Sequence, residues 1–415
     1  MAGVTRGTQL REFSPQFWSI VAATFLGFLG IGTVLPGLAP HVVRDLGGSD
    51  ETVGFVIGVF SFVALGARFF SGALADTKGR KTSFASGLLC CAVAGAVYLA
   101  PLGIGGVYLA RVLQGFGEAF LYTGAATWAV ELAGTHRSAQ ALGYVSSGIW
   151  GGMSAGPVLG HWLGSFSHAA LTQSLLALIS FTLLIRVPER FKPHPHKVKR
   201  NWLPRRMILP GLAVGFTNTH YPVITGFLIL HLAQHGNSGP AAFTAYAVVI
   251  LFSRFFLGSL PDRVHPKITY YIGLAAMTVG LLVLAAGPPP LVAIGAAAVL
   301  GFGFSFPWSS VVATVLKQTP DREHGSAIGI LGAFYDLFVG IGSFAAGGIS
   351  DHYGYAAAFL MAAGMLGAAA LVGWFLFPKQ LGSTHDSAAV QTLLGSQQAA
   401  LQQGAPVPEA GTPRR

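Results

Sequence analysis

A stretch running from Arg68-Phe69-Phe70 to Leu74-Ala75-Asp76 returns as Arg254-Phe255-Phe256 to Leu260-Pro261-Asp262, an offset of 186 positions. The same offset carries Gly115-Phe116-Gly117 onto Gly301-Phe302-Gly303, Phe120 onto Phe306, and Ala141-Leu142-Gly143 onto Ala327-Ile328-Gly329. One unchanged offset across separate segments means two equivalent halves. In a membrane chain, two such halves usually enclose a path between them.

Composition places the halves in a membrane. Apolar residues make up 52% of the chain and charged residues 10%, against roughly 25% charged in a soluble domain. The 56 Gly and 30 Phe suit closely packed transmembrane helices. Stretches of about 20 apolar residues predict spans near 17–39, 52–75, 82–101, 106–132, 138–165 and 168–187. A second set lies near 207–232, 240–261, 268–286, 290–316, 326–349 and 355–377. The expected fold is all-α: twelve transmembrane helices in two pseudo-symmetric six-helix bundles, residues 1–187 and 207–379. A basic, proline-containing linker at 188–206 joins them, and a Gln-, Ala-, Gly- and Pro-rich tail at 380–415 is expected to be disordered.

Charge orients the chain. Apart from Arg44, Arg68, Arg111 and Arg254, all 25 basic residues fall in or beside the linker, in the loops on its side, or in the tails. By the positive-inside rule that side is cytoplasmic, with both termini on it. The net charge of +10 therefore belongs to topology, and nucleic acid is not expected as a partner. The first apolar stretch follows Arg6 and Arg11 but is too long for a signal peptide; it is read as a retained helix. Cys90 and Cys91 are neighbours facing different ways and read as apolar fillers.

Four segments stand out. Gly72, Asp76, Lys78, Gly79, Arg80 and Lys81 occupy the cytoplasmic turn after the second span, with Asp262 and Arg263 in the equivalent loop. Asp76 suits a helix N-terminus, Gly79 permits a tight turn, and Glu131 is an expected partner for Arg80. In the span at 106–132, Arg111, Gln114, Glu118 and Tyr122 share one helix face. A charge at the bilayer centre costs about 2.5–3.5 kcal/mol or more, so this stripe is expected to face a cavity. Gly148, Gly152, Gly156 and Gly160 recur every fourth residue, with Gly143 before them and Pro157 among them; such a stripe admits another helix at backbone distance. Asp336 lies well inside its span with no basic residue near it in that helix, so it is expected to hold a proton much of the time. Asn218, His220 and Tyr221 lie at mid-span, and Trp150, Trp308 and Tyr335 are further expected cavity residues. No zinc spacing and no phosphate-binding loop is found, so no cofactor is expected and ATP is not the direct energy source. No nucleophile–base pairing points to an enzyme.

These segments resemble the major facilitator superfamily, from about residue 15 to 380. The turn at Gly72–Lys81 is similar to the family's G-x-x-x-D-[RK]-x-G-[RK]-[RK] signature, departing at Thr77. Arg111, Gln114, Gly115, Gly117 and Ala119 resemble its R-x-x-Q-G-x-G-x-A motif. Gly143, Gly152, Gly156, Pro157 and Gly160 resemble the antiporter motif, whose last glycine is His161 here. The resemblance points to the twelve-helix drug/proton antiporter group and, within it, to YfcJ/YhhS-type bacterial exporters. It implies a monomeric inner-membrane transporter that exchanges a small molecule for protons, with Glu118, Asp336 and Arg111 coupling the two. It also implies that Asp76 and Arg80 hold a cytoplasmic gate. A facilitator or importer of the same fold, and a non-transporting membrane receptor, stand as alternatives. The halves differ where chemistry is expected: by the repeat, Arg111 is matched by Ala297, Glu118 by Phe304, and Asp336 by Trp150.

Overall fold

Prolines decide where the helices break. The computed structural model describes residues 13–134, 137–189, 204–236, 239–257, 264–320 and 323–377. The first half runs α1 (Pro15–Thr33), α2 (Leu35–Pro40) with a π-helical turn (His41–Asp45), α3 (Asp50–Lys78), α4 (Arg80–Leu99), α5 (Gly103–Ala133), α6 (Ser138–Leu163) and α7 (Phe166–Ile185). The second runs α8 (Ile208–Asn218), α9 (His220–Gln234), α10 (Gly239–Leu257), α11 (Pro266–Ala285), α12 (Pro290–Phe304), α13 (Pro307–Lys317), α14 (His324–Tyr353) and α15 (Tyr355–Leu376). Among the described residues, eight helical stretches are long and apolar enough to cross a membrane. Each expected span lies on one of these helices or on an adjoining pair. The span at 240–261 is described only as far as Leu257.

The adjoining pairs were not expected, and they have one cause. Pro36 follows the break at Val34, and Pro222 follows the break at Thr219. A proline inside a helix removes the bond to the carbonyl four residues back. Pro36 and Pro222 are separated by the repeat offset of 186, so the same break opens the first long helix of each half. Pro307 does likewise between α12 and α13, with no counterpart in the unbroken α5.

Glycine sets how closely the helices approach. Along α6, a Cβ on Gly148 would lie 3.1 Å from the Val21 carbonyl, and one on Gly152 2.5 Å from the Phe25 carbonyl. A Cβ on Gly156 would lie 2.5 Å from Gly32 Cα, and one on Gly160 would collide with the Thr33 carbonyl. The stripe therefore docks α1 on α6 over its whole length. Gly143 has open space beside it and takes no part. Pro157 stays within α6; the Met153 carbonyl it cannot satisfy faces Gly32.

Between the halves, α3 lies against α14. A Cβ on Gly54 would sit 2.5 Å from the Ser343 carbonyl and 2.8 Å from Gly347 Cα, and Gly58 abuts Phe344. Tyr355 donates to Asp50 Oδ1 at 2.9 Å at the same end. The halves are thus in close backbone contact at the Asp50 end. Toward the opposite end, a Cβ added to Gly66, Gly72 or Gly329 would meet nothing within 4 Å.

Candidate functional site

Three helices bring the charged groups together. Arg68 on α3 donates from Nε to Asp336 Oδ2 on α14 at 2.7 Å and from Nη2 to Glu118 Oε1 on α5 at 3.3 Å. Its guanidinium lies 4.7 Å from the centroid of the Tyr122 ring. Asp336 is 4% exposed and Glu118 9%, so neither carboxylate has water enough to stand alone. The expectation of an unpaired Asp336 is corrected here. Its partner comes from the other half of the chain, 268 positions away, where a reading along one helix does not look. Arg68 itself was missed as a functional residue. Its signal was its place inside an apolar span at the head of the repeat.

Arg111 does not meet Glu118. Its Nε donates to the Val56 carbonyl at 3.0 Å and its Nη1 to Gln114 Oε1 at 2.6 Å, with the Phe60 ring 4.3 Å away. Gln114 passes the chain on to Gln173 Oε1 at 2.9 Å, and Gln173 to the Cys91 carbonyl at 2.9 Å. Sharing a helix face was a correct reading of spacing, but a guanidinium about two helix turns nearer the Asp50 end finds backbone carbonyls of α3 first.

An opening in the bundle runs past these groups. Arg68, Arg111, Glu118, Tyr122 and Asp336 line it, as do Trp150, Tyr221, Trp308 and Tyr335. Trp150 is the hub of the aromatic wall, with Tyr335 at 5.8 Å and Trp308 at 6.3 Å between centroids. Gln114, Asn218 and His220 are buried beside the cavity without lining it. Asn218 donates to the Val214 carbonyl at 2.7 Å, and His220 bridges the Thr217 carbonyl and the Tyr246 hydroxyl. Gln114 and His220 thereby tie neighbouring helices together beside the opening, while Asn218 bonds within its own helix.

The family model of the Major Facilitator Superfamily matches residues 20–238 and again 211–404. The chain belongs to the Major Facilitator Superfamily. It is similar to an uncharacterized MFS-type transporter of Salmonella typhimurium (strain LT2), 29% identical over 86% of this chain and 95% of the relative. An uncharacterized MFS-type transporter of Burkholderia mallei (strain SAVP1) is 26% identical over 90% of this chain and 95% of its own length. Among solved structures, the nucleoside transporter NupG superposes with a TM-score of 0.70 at 15% identity, covering 88% of this chain and 100% of that one. A D-xylose-proton symporter gives 0.74 at 16% identity, covering 88% and 99%. At that identity the likeness is one of fold. As a superfamily member the chain is a multi-pass membrane protein and a secondary transporter of a small molecule, not an enzyme.

The superfamily's signature turn is built around the first half's own ends. Gly79, at φ 107°, closes α3 and opens α4, a backbone favouring glycine. Arg80 Nη1 meets Glu131 Oε2 at 2.6 Å, and the Arg80 N–H donates to Glu189 Oε1 at 2.6 Å. Lys81 Nζ donates to the Ile185 and Val187 carbonyls, both at 2.8 Å, neutralising the end of α7. Asp76 and Lys78 are exposed, and Gly72 has open space beside it. In this state the turn therefore ties α4 to α5 and to the start of the linker, all within the first half. Asp262 and Arg263 lie outside the described residues.

Proposed function

We propose that this transporter exports a small molecule, a drug-like compound or metabolite, from the cytoplasm in exchange for protons. It works as a monomer of twelve helices in the inner membrane, with both termini cytoplasmic. Residues 1–187 and 207–379 form two six-helix bundles that rock about the central cavity, joined by the linker at 188–206 and followed by the tail at 380–415. The observation that carries the coupling is that Arg68 is shared between Glu118 of its own half and Asp336 of the other. The Gly152, Gly156, Pro157 and Gly160 stripe supports a place in the drug/proton antiporter group of YfcJ/YhhS type.

The chemistry follows from charge. With both carboxylates ionised, the Arg68–Asp336 pair ties α3 to α14 across the halves. A proton arriving at Asp336 Oδ2 removes the ionic attraction, and Arg68 stays with Glu118. The tie between halves weakens while the remaining pair keeps its charge balance. Deprotonation toward the cytoplasm restores the tie. Coupling then needs only that cargo and proton favour opposite states of the same contact. The turn at Asp76, Lys78, Gly79, Arg80 and Lys81, with Glu131, acts as the cytoplasmic gate in the state that brings Asp76 to the other half. Arg111 supports coupling indirectly, by fixing α3 against α5.

The test begins with a competition screen in cells lacking their main exporters, to find a cargo. Purified protein in liposomes is then given a pH jump. Wild type is expected to move cargo against the proton flow. Asp336→Asn is expected to lose the response to pH while retaining cargo exchange, and Glu118→Gln to weaken it. Full pH-driven transport in both variants would remove the coupling assignment. Cargo moving in the same direction as protons would favour an importer, and no response to pH a facilitator.

A further inference from the structure

The second half contains a copy of the Arg68 site in which both acids have been replaced. Arg254 stands at the repeat position of Arg68, Phe304 at that of Glu118, and Trp150 at that of Asp336. The structure reproduces the contacts as well as the alignment. Arg68 touches Glu118 of its own half and Asp336 of the opposite half. Arg254 lies 5.4 Å from the ring centroid of Phe304, in its own half, and 4.3 Å from that of Trp150, in the opposite half. Two equivalent sockets therefore hold two guanidinium groups, one answered by two carboxylates and the other by two aromatic faces.

The second socket is short of an anion. Nε and Nη2 of Arg254 are buried and have no hydrogen-bond partner among the described residues. Cation–π contact offsets part of the desolvation of a guanidinium but leaves its N–H donors unused. A bidentate carboxylate would satisfy both, as it does wherever arginine reads an acid. Among the described residues, Arg68 is the arginine that meets Glu118 and Asp336; Arg111 is held by carbonyls and Gln114, and Arg254, which is not itself among the residues lining the cavity, meets aromatic faces and no carboxylate. Trp150 joins the two regions: it stacks on Arg254 and lines the cavity that holds Arg68, Glu118 and Asp336.

We propose that Arg254 is the cargo's anion site, and that the transported molecule is an organic monoanion with an apolar or aromatic body. Its acidic group pairs with Arg254 beside Trp150, supplying the charge that the socket lacks. Its body lies along Trp150, Tyr335 and Trp308. The aromatic walls select an organic anion over a small inorganic one, because they offer area and no further donors. This inference rests on the transport reading only in taking the central cavity as the cargo site.

The test is calorimetric titration of the purified full chain in detergent, with no proton gradient. The probes are naphthoate, its neutral congener naphthalenemethanol, its cationic congener naphthylmethylamine, and chloride. Wild type is expected to bind naphthoate at least about tenfold more tightly than either congener, and chloride not at all in the same range. Arg254→Gln is expected to remove that preference, and Arg254→Lys to keep part of it because the charge remains. Equal affinity for anion and neutral congener, no binding by any probe, or chloride binding that matches naphthoate overturns the proposal. The wild-type comparison stands even if Arg254→Gln fails to fold. Loss of coupling in Asp336→Asn liposomes leaves this titration unchanged, so the two readings fail separately.

Discussion

At the scale of the residue, Arg68 carries more than any other side chain. Removing it leaves two buried carboxylates facing one another. Breaking a buried pair by deleting one partner costs about 3–5 kcal/mol. Arg68→Met is therefore expected to lower the unfolding free energy in detergent by about that amount, seen as a lower denaturant midpoint. Adding Asp336→Asn to it should recover a large part, since one stranded charge is gone. A double variant no more stable than the single one would mean that Arg68 matters for packing alone. Arg111→Met gives the contrast: its partners are carbonyls and Gln114, so Asp336→Asn should do nothing to rescue it.

At the scale of the element, the α1–α6 contact is set by backbone against backbone. Gly156→Ala puts a methyl 2.5 Å from Gly32 Cα, and neither backbone can turn away as a flexible side chain would. Overpacking of this kind costs about 1–3 kcal/mol. Gly143→Ala meets open space and is expected to leave stability unchanged or slightly raised by its better helix propensity. Thermal denaturation of the two variants side by side checks this; equal loss in both would show that the stripe is not a packing surface. Both glycines belong to the same motif resemblance, and only the contact surface separates their roles.

At the scale of the whole molecule, the state observed is closed at the Asp50 end by Gly54, Gly58 and Gly347 and by the Tyr355–Asp50 bond. Gly54→Leu cannot fit beside the Ser343 carbonyl, so the variant should favour states in which that end is parted. Spin labels on Asp45 and Tyr353, at the closed end, should then report a longer distance than in the otherwise unchanged protein. An unchanged distance distribution would show that closure does not depend on this approach. Such a shift needs no change at Arg68, because interfaces of packed helices switch between discrete arrangements.

Length and apolarity placed the helices, since a span must bury its backbone bonds within itself whatever it packs against. The repeat offset likewise paired Arg68 with Arg254 before any coordinate was needed. The glycine spacing announced a helix contact, and the Gly79 turn with its Arg80–Glu131 pair was legible because the partners lie at the ends of neighbouring helices. What no local pattern carries is which helix lies opposite. Arg111 and Glu118 look paired along α5, yet Arg111 is held by α3 and Glu118 by Arg68. Asp336 looks solitary on α14 until α3 is laid across it. Charge pairing in a bundle is decided by contacts across helices. The sequence by itself placed the apolar helices, the repeat and the residues in which its two copies differ; only the tertiary structure decided that, among the described residues, Arg68 meets two acids and Arg254 meets aromatic faces.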